Sequence, residues 1–246
     1  MMQKYLSLVL LFLLLSASAL AQRTGRNLSL QAGYQFKLLS PNAYNFIIDD
    51  IFNMRSPLPV SQFERITWTP GLSFGIGYHQ RKINLTAFFA QYSGSTMAIA
   101  DDSLGTELQW ASEVKGWDAG ISFVSELVPF ADNGGIYVGG AFQITNFTTT
   151  LATAPSGEAL PAFEDITNNN KASFNVTMPI RYGPIPQFQL AIEPYYQVFF
   201  SPLNLRRFSN TLNGEARTAD FSGGVISELD HFGVTAKLIV FLIPRT

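Results

Sequence analysis

ASFNVTMPIRY, residues 172–182, sets Ala172, Phe174, Val176, Met178, Ile180 and Tyr182 against Ser173, Asn175, Thr177, Pro179 and Arg181. Apolar and polar residues alternate along the whole stretch. This is the period of a β-strand whose two faces meet different surroundings. A helix repeats about every 3.6 residues and would not sort the two classes this way.

Seven other segments carry the same pattern: Leu28–Leu38, Trp68–His79, Ile83–Ala90, Trp117–Val124, Ile136–Ile144, Phe188–Val198 and Phe232–Leu242. Each is about 10 residues long, the length of a tilted strand that crosses a bilayer. The connections alternate in length. Those at His79–Lys82 and Gly183–Gln187 are short and Glu126–Gly135 is moderate, whereas Leu39–Thr67, Gln91–Gly116, Phe147–Lys171 and Ser201–His231 are long. Short turns at one end and long loops at the other are the habit of outer-membrane barrels.

Alternation alone does not say which face is outside, because a soluble barrel turns its apolar face inward. Charge decides. The strand charges Lys37, Asp118, Arg181, Glu193 and Lys237 all fall on the polar face, which is otherwise mostly Gly, Ser, Thr, Asn and Gln. Such a face is too poor in charge for a solvated surface, so it reads as the lumen. Trp68, Trp117, Tyr78, Tyr182 and Phe200 stand near segment ends, as an aromatic girdle would. The expected fold is all-β: an eight-stranded antiparallel up-and-down transmembrane β-barrel with one short helix in its first external loop.

That helix is expected over Ser40–Asn53. Ser40 suits an N-cap and Pro41 the first helical position, and Tyr44, Ile47, Ile48, Ile51 and Phe52 form one apolar face. It would cap the barrel mouth or lie along the membrane surface. Between the third and fourth segments, a loop at Asp101–Gly105 would pair Ala100 with Thr106, Phe89 with Trp117 and Gln91 with Lys115, making a hairpin that projects beyond the membrane. Asn213-Gly214, a favoured tight-turn pair, suggests a second projection before the last segment.

Composition agrees with a membrane barrel. Of the 246 residues, 47% are apolar, 13% aromatic and 14% charged, against roughly 25% charged in ordinary soluble proteins. After Gln22 no apolar run reaches the roughly 20 residues a membrane helix needs, so a helical membrane protein is excluded. The absence of cysteine excludes disulfides, thiolate metal sites and a cysteine-borne lipid anchor. A net charge of −2 leaves no nucleic-acid footprint. Residues 1–21 read as a cleaved signal peptide: Lys4, the apolar run Leu6–Leu15, then Ala19-Leu20-Ala21. Residues 22–246 then form one barrel domain in the outer membrane of a Gram-negative cell envelope.

The alternating segments resemble the small outer-membrane barrels of the OmpA, OmpX and OmpW kind, and the PorT-like group. The resemblance covers nearly all of the mature chain and is one of pattern. It implies a fold and a location, not an activity. The ending Phe241-Leu242-Ile243-Pro244-Arg245-Thr246 departs from the commoner aromatic terminus.

Candidate chemistry is sparse. Glu193 and Lys237 should meet inside the barrel as a polar pair, with Phe88, Tyr137, Tyr195, Phe199 and Arg181 as lumen lining. His79 reads as a turn residue in contact with headgroups or solvent beside Arg81 and Lys82. His231 sits near Asp230, Glu228, Ser222 and Ser227 at the rim, a composition that suits lipid modification but lacks a nucleophile motif. No catalytic residue, metal ligand or cofactor is assigned. The expectation is a non-enzymatic, monomeric outer-membrane barrel, structural or partner-binding through its long extracellular loops. Its partners would be outer-membrane lipids and an extracellular or envelope protein, with no nucleic acid. A narrow porin-like channel or pocket for small apolar solutes is the alternative, and a lipid-modifying enzyme the second. The mature protein should begin at Gln22; mass spectrometry of membrane-extracted protein checks this, and an intact Met1 start would refute it.

Overall fold

The computed structural model describes residues 27–38, 44–45, 47–53, 59–80, 82–101, 105–131, 134–185, 187–213, 226–227 and 230–242. The signal-peptide segment, Ser40, Pro41 and the C-terminal four residues lie outside them. The chain forms β1 (Asn27–Leu38), β2 (Thr69–Gln80), β3 (Ile83–Asp101), β4 (Glu107–Ala131), β5 (Gly134–Pro155), β6 (Glu164–Thr177), β7 (Ile180–Ile185) and β8 (Phe188–Phe199). The two-residue strands β9 (Leu203–Asn204) and β10 (Ile226–Ser227) pair with each other, and β11 (His231–Phe241) is the last strand. From β1 to β6 each strand pairs antiparallel with its successor. β6 and β7 both lie between β5 and β8. β11 then pairs with β8 on one edge and β1 on the other, which closes the ring.

The segment at 172–182 is therefore two strands rather than one continuous strand. Pro179 has no N–H to give the ladder and interrupts it. Around the break, Met178 N–H reaches Pro194 O at 3.1 Å and Tyr137 N–H reaches Pro179 O at 2.8 Å.

The two faces separate as the period requires. Leu30, Phe36, Leu72, Phe74, Ile76, Leu85, Phe89, Ile121, Phe123, Phe142, Ile144, Val176, Leu190, Ile192, Phe232 and Leu238 are exposed on the outside. Their inward neighbours Ser29, Gln31, Gln35, Lys37, Thr86, Asp118, Gln143, Thr145, Glu193, Gln197 and Thr235 are buried. The protein is thus apolar outside and polar within. A continuous apolar belt of this extent is far beyond what monomeric soluble proteins expose.

β3 to β6 run well past the ring at the end carrying the long connections. Segments expected as loops at Gln91–Gly116 and Phe147–Lys171 are largely strand, and much of the connection expected at Glu126–Gly135 is strand too, β4 running to Ala131 and β5 starting at Gly134 through register shifts at Glu126/Val128 and Pro129/Ala131. The β3–β4 register differs by two from the expectation: Phe89 faces Ala119 and Gln91 faces Trp117. β3 ends at Asp101 and β4 begins at Glu107 opposite it, so the connection starts one residue later than the expected Asp101–Gly105, with Gly105 at φ 78°. A shift of two preserves parity, so no side chain changes face. The Phe89 and Trp117 rings still stack diagonally, centroids 6.2 Å apart.

The loop end is covered by packed side chains. Tyr44, Ile47, Ile48 and Phe52 are fully buried against Leu203, Leu205 and Phe208 and against Val114 and Phe147 of the strands. Of the helix expected over 40–53, the described residues are α-helical at 44–45 and a π-helix at Ile47–Phe52. Asn53 N–H bonds Ile48 O at 2.9 Å, while the Asn53 amide clasps both backbone groups of Phe63 at 2.9 and 3.1 Å. That clasp holds the wider turn. Tyr44 hydroxyl lies 2.8 Å from Ser112 Oγ, and burial pushes its phenol pKa up.

Asn213 does not make a hairpin tip. It ends α1 (Arg206–Asn213), a helix opened by Asn204 Oδ1 accepting Arg206 N–H at 3.0 Å and anchored by buried Phe208 and Leu212. The cap and the apolar anchor outweigh the local turn preference; Gly214 lies outside the described residues.

Close approach requires glycine at several strand positions, Gly71, Gly116, Gly120, Gly139 and Gly233 among them. A Cβ at Gly233 would stand 2.2 Å from the Tyr195 ring, because β11 passes directly behind that side chain. Gly233→Ala should destabilise by about 1–3 kcal/mol through overpacking, and Tyr195→Ala in the same chain should relieve most of it. Urea unfolding of the single and double variants measures both.

Candidate functional site: the barrel lumen

The inward faces of the strands bring five charges together in two layers. In the first, Glu193 on β8 and Lys237 on β11 are diagonal neighbours, since Thr235 stands opposite Glu193. Diagonal positions are within reach of long side chains, and Lys237 Nζ bonds Glu193 Oε2. Arg181 on β7 reaches the other oxygen, Nη2 to Oε1 at 3.4 Å, and its guanidinium lies 4.7 Å over the Tyr137 ring. Tyr137 is buried beneath Arg181.

In the second layer Lys37 on β1 pairs with Asp118 on β4, both essentially inaccessible. Lys37 also lies 4.0 Å over the Tyr92 ring. Asp118 Oδ1 accepts from Thr145 at 2.7 Å, and Gln197 Nε2 donates at 2.9 Å to both Thr145 and Ser173. Buried ions are costly unless paired; every charge in the two layers has an opposite charge within ion-pair distance.

Between the layers lies a chamber of about 60 Å³, bounded by Gln31, Gln35, Phe88, Tyr195, Asp118, Arg181, Glu193 and Lys237 among others. Space of this size holds roughly four water molecules. Phe88 and Tyr195 line it. Tyr137 does not, and Phe199 packs instead against the apolar cover at the loop end. Trp68, Tyr182 and Phe200 are exposed on the outside, Trp117 and Tyr78 half-buried there; Trp68 precedes β2 rather than lying in it.

His79 is not a solvent-facing turn residue. It is buried inside the short-turn end, its ring 4.9 Å from that of Phe241. Inward parity near the end of β2 puts it there, and nearby Arg81 and Lys82 obscure this in the sequence. Its Nε2 lies 2.7 Å from Ser29 Oγ and its Nδ1 2.6 Å from the Asn84 amide. Ser, His and Asn in this order have the outline of a nucleophile relay. The proton lies the wrong way for it. Asn84 satisfies its neighbours with its oxygen accepting from Arg181 Nη1 at 3.1 Å and its nitrogen donating to His79 Nδ1. That leaves the ring proton on Nε2, facing Ser29, where a base would need a free lone pair. The chain Ser29–His79–Asn84–Arg181–Glu193–Lys237 is therefore a continuous polar relay that positions Arg181.

At the rim, Asp230 Oδ1 accepts Phe199 N–H at 2.9 Å and His231 is buried between the Tyr195 and Phe199 rings, centroids 6.3 and 5.9 Å away. Ser222 and Glu228 lie outside the described residues. Sequence reasoning missed the Lys37–Asp118 pair and the part Arg181 plays with Glu193. The signal was present: all five charges share the inward parity, so none could stay single.

No family model matches the chain and no curated protein matches it. Among similar solved structures is Ail, the attachment invasion locus protein of Yersinia pestis, in complex with the heparin analogue sucrose octasulfate, with 9% identity over 88% of this chain and 97% of that one, TM-score 0.43. Neisserial surface protein A matches at 8% identity over 88% and 97%, TM-score 0.35. The outer membrane protease OmpT from Escherichia coli matches at 9% over 88% and 96%, TM-score 0.35. At such identities and TM-scores, function must be argued from this chain's own residues.

Glu193 serves two cations, so its removal should cost more than removal of either. Glu193→Gln should destabilise by about 3–5 kcal/mol, Lys237→Met by less, because Arg181 still neutralises Glu193. The double variant should recover part of the loss; strictly additive losses in reversible unfolding would show that the two do not interact.

Proposed function

We propose that the chain is an integral outer-membrane β-barrel of eight staves, β6 and β7 being two lengths of one, of the OmpA/OmpX/OmpW-like or PorT-like kind. We read it as non-enzymatic: a plugged, monomeric barrel whose extended β3–β6 sheet and external loops present a surface to a partner. The observation that carries the membrane reading is the outer belt, where large apolar residues from every stave are exposed together. Water would penalise such a surface at about 25 cal/mol per Å², whereas lipid accepts it. Tyr78 and Tyr182 at the short-turn end and Trp68, Trp117 and Phe200 at the other suit the two headgroup levels. The short turns then face the periplasm.

The closed reading is favoured over a channel because packed matter fills the lumen's length: the His79 relay, two ion-pair layers and the apolar cover. The chamber left between the layers is too small for an apolar solute of any size. A lipid-modifying site has less support, because His231 is enclosed by aromatic rings.

Two measurements test this. Val176 pairs with Gly140, midway along the outward apolar run Val138–Ile144. Val176→Arg should cost about 2–4 kcal/mol in reversible folding into bilayers, and Phe200→Arg at the girdle about 0–1. Equal, small costs would place the belt outside lipid. In planar bilayers the protein should carry no steady solute-dependent current; a stable conductance would overturn the plugged reading.

A further inference from the structure

The apolar belt is not even. On its outer surface Ala32 of β1 and Ala87 of β3 stand exposed among larger side chains. Ala32 lies opposite Leu238 and Phe74, and Ala87 opposite Ile76 and Ile121. Around the two alanines the surface sinks into an open depression of about 610 Å³ that reaches Gly75. A second depression, of about 370 Å³, lies beside Tyr78 and Leu85 and ends at Gln80, Lys82 and Ile83. Ile76 faces Ala87 and Tyr78 faces Leu85, so the two adjoin as consecutive outward rows of the β2–β3 hairpin.

Together they form one groove that follows β2 from Phe74 to Gln80, six residues on. At about 3.3 Å per residue this is about 20 Å of strand. A tilt of roughly 40° leaves about 15 Å of height, half of the roughly 30 Å of hydrocarbon in a bilayer. The groove therefore has the depth of one leaflet, and its polar end lies at the short turns. There Lys82 is exposed, and among the described residues it pairs with no carboxylate. Its backbone is fixed, because Glu126 N–H reaches Lys82 O at 2.9 Å. The Glu126 side chain stands opposite buried Tyr137 and so faces the lumen, away from the groove.

Resting on the membrane reading above, we propose that this groove is a site for one anionic glycerophospholipid of the periplasmic leaflet. An acyl chain lies over Ala32 and Ala87, walled by Leu30, Ile76, Phe74 and Leu238, and the phosphate sits at Lys82. A chain seated in a hollow touches wall atoms on several sides, which a flat belt would not offer. A second barrel would need a matching ridge and an anion at its foot. An acyl chain bends to fit, and its own headgroup supplies the anion.

Native mass spectrometry of the barrel, released from micelles holding equal amounts of phosphatidylglycerol and phosphatidylcholine, tests the site. One phosphatidylglycerol should stay bound per barrel, favoured over phosphatidylcholine by about five-fold. Lys82→Gln should erase that preference, and its place in an exposed turn spares the fold. Ala87→Phe or Ala32→Phe fills the groove and should remove bound lipid of both kinds. Val138→Phe, on β5 outside the groove, should leave it bound. Equal retention of the two lipids by the parent protein would mean an ordinary lipid annulus and would overturn the proposal. Lipid that survives both filled variants, or a second barrel bound in its place, would do the same. Barrels that insert into bilayers yet leave the micelle bare would overturn this site alone. Barrels that do not insert would overturn the membrane reading, and the site with it.

Discussion

Everything in this molecule follows from closing a sheet on itself with β11 between β8 and β1. Closure leaves no edge along the ring and sends every second residue into a space only wide enough for side chains. A polar residue there has no bulk water to turn to. It must find its partner across the ring, and the sequence positions of the partners are set by register rather than by proximity along the chain. Asp118 and Lys37 are distant in sequence yet meet because β1 to β4 count inward residues in step. The outward residues have the converse freedom: they need only be apolar, and where they pair it is through ring contacts such as Phe142 with Phe174 and Tyr196 with Phe232.

This asymmetry explains what could be read from the chain. Alternation in ASFNVTMPIRY and its counterparts reveals which residues face which way, because parity survives errors of two in register. The β3–β4 hairpin shows it: its register was displaced, yet Phe89 and Trp117 still share a face and touch. The Glu193–Lys237 contact could be argued from strand ends alone. What could not be read depends on geometry beyond the period. His79 looked like a turn residue because the next residues are basic. Pro179 fitted the alternation while breaking the ladder. Asn213 carried a turn preference, but the residues before it had an apolar face to bury, and burial prevailed.

The cover at the loop end joins pieces that sequence shows only as loops. Tyr44 stacks on Phe208 at 5.2 Å, linking the first loop to the last, and Phe52 packs on Phe63 and Trp110. These contacts join the first and last loops to each other and to β4 over the mouth of the ring. The long strands β3–β6 supply the wall against which they pack. The extension is thus both a projection and a support, with Val114, Phe147 and Leu151 inward and Lys115 ion-paired to Asp165 on the outer side.

Closure also orders the assembly of the molecule. Each hairpin from β1–β2 to β4–β5 can form from contiguous residues as they emerge, but the ladder that seals the ring joins Ser29 to Phe241. Until the final strand exists, β1 and β8 are bare edges, each able to recruit another chain. A product ending before His231 would therefore retain nearly all of the wall and none of its seal. The last eleven-residue strand, β11, thus separates a lone barrel from an open sheet that pairs with its neighbours.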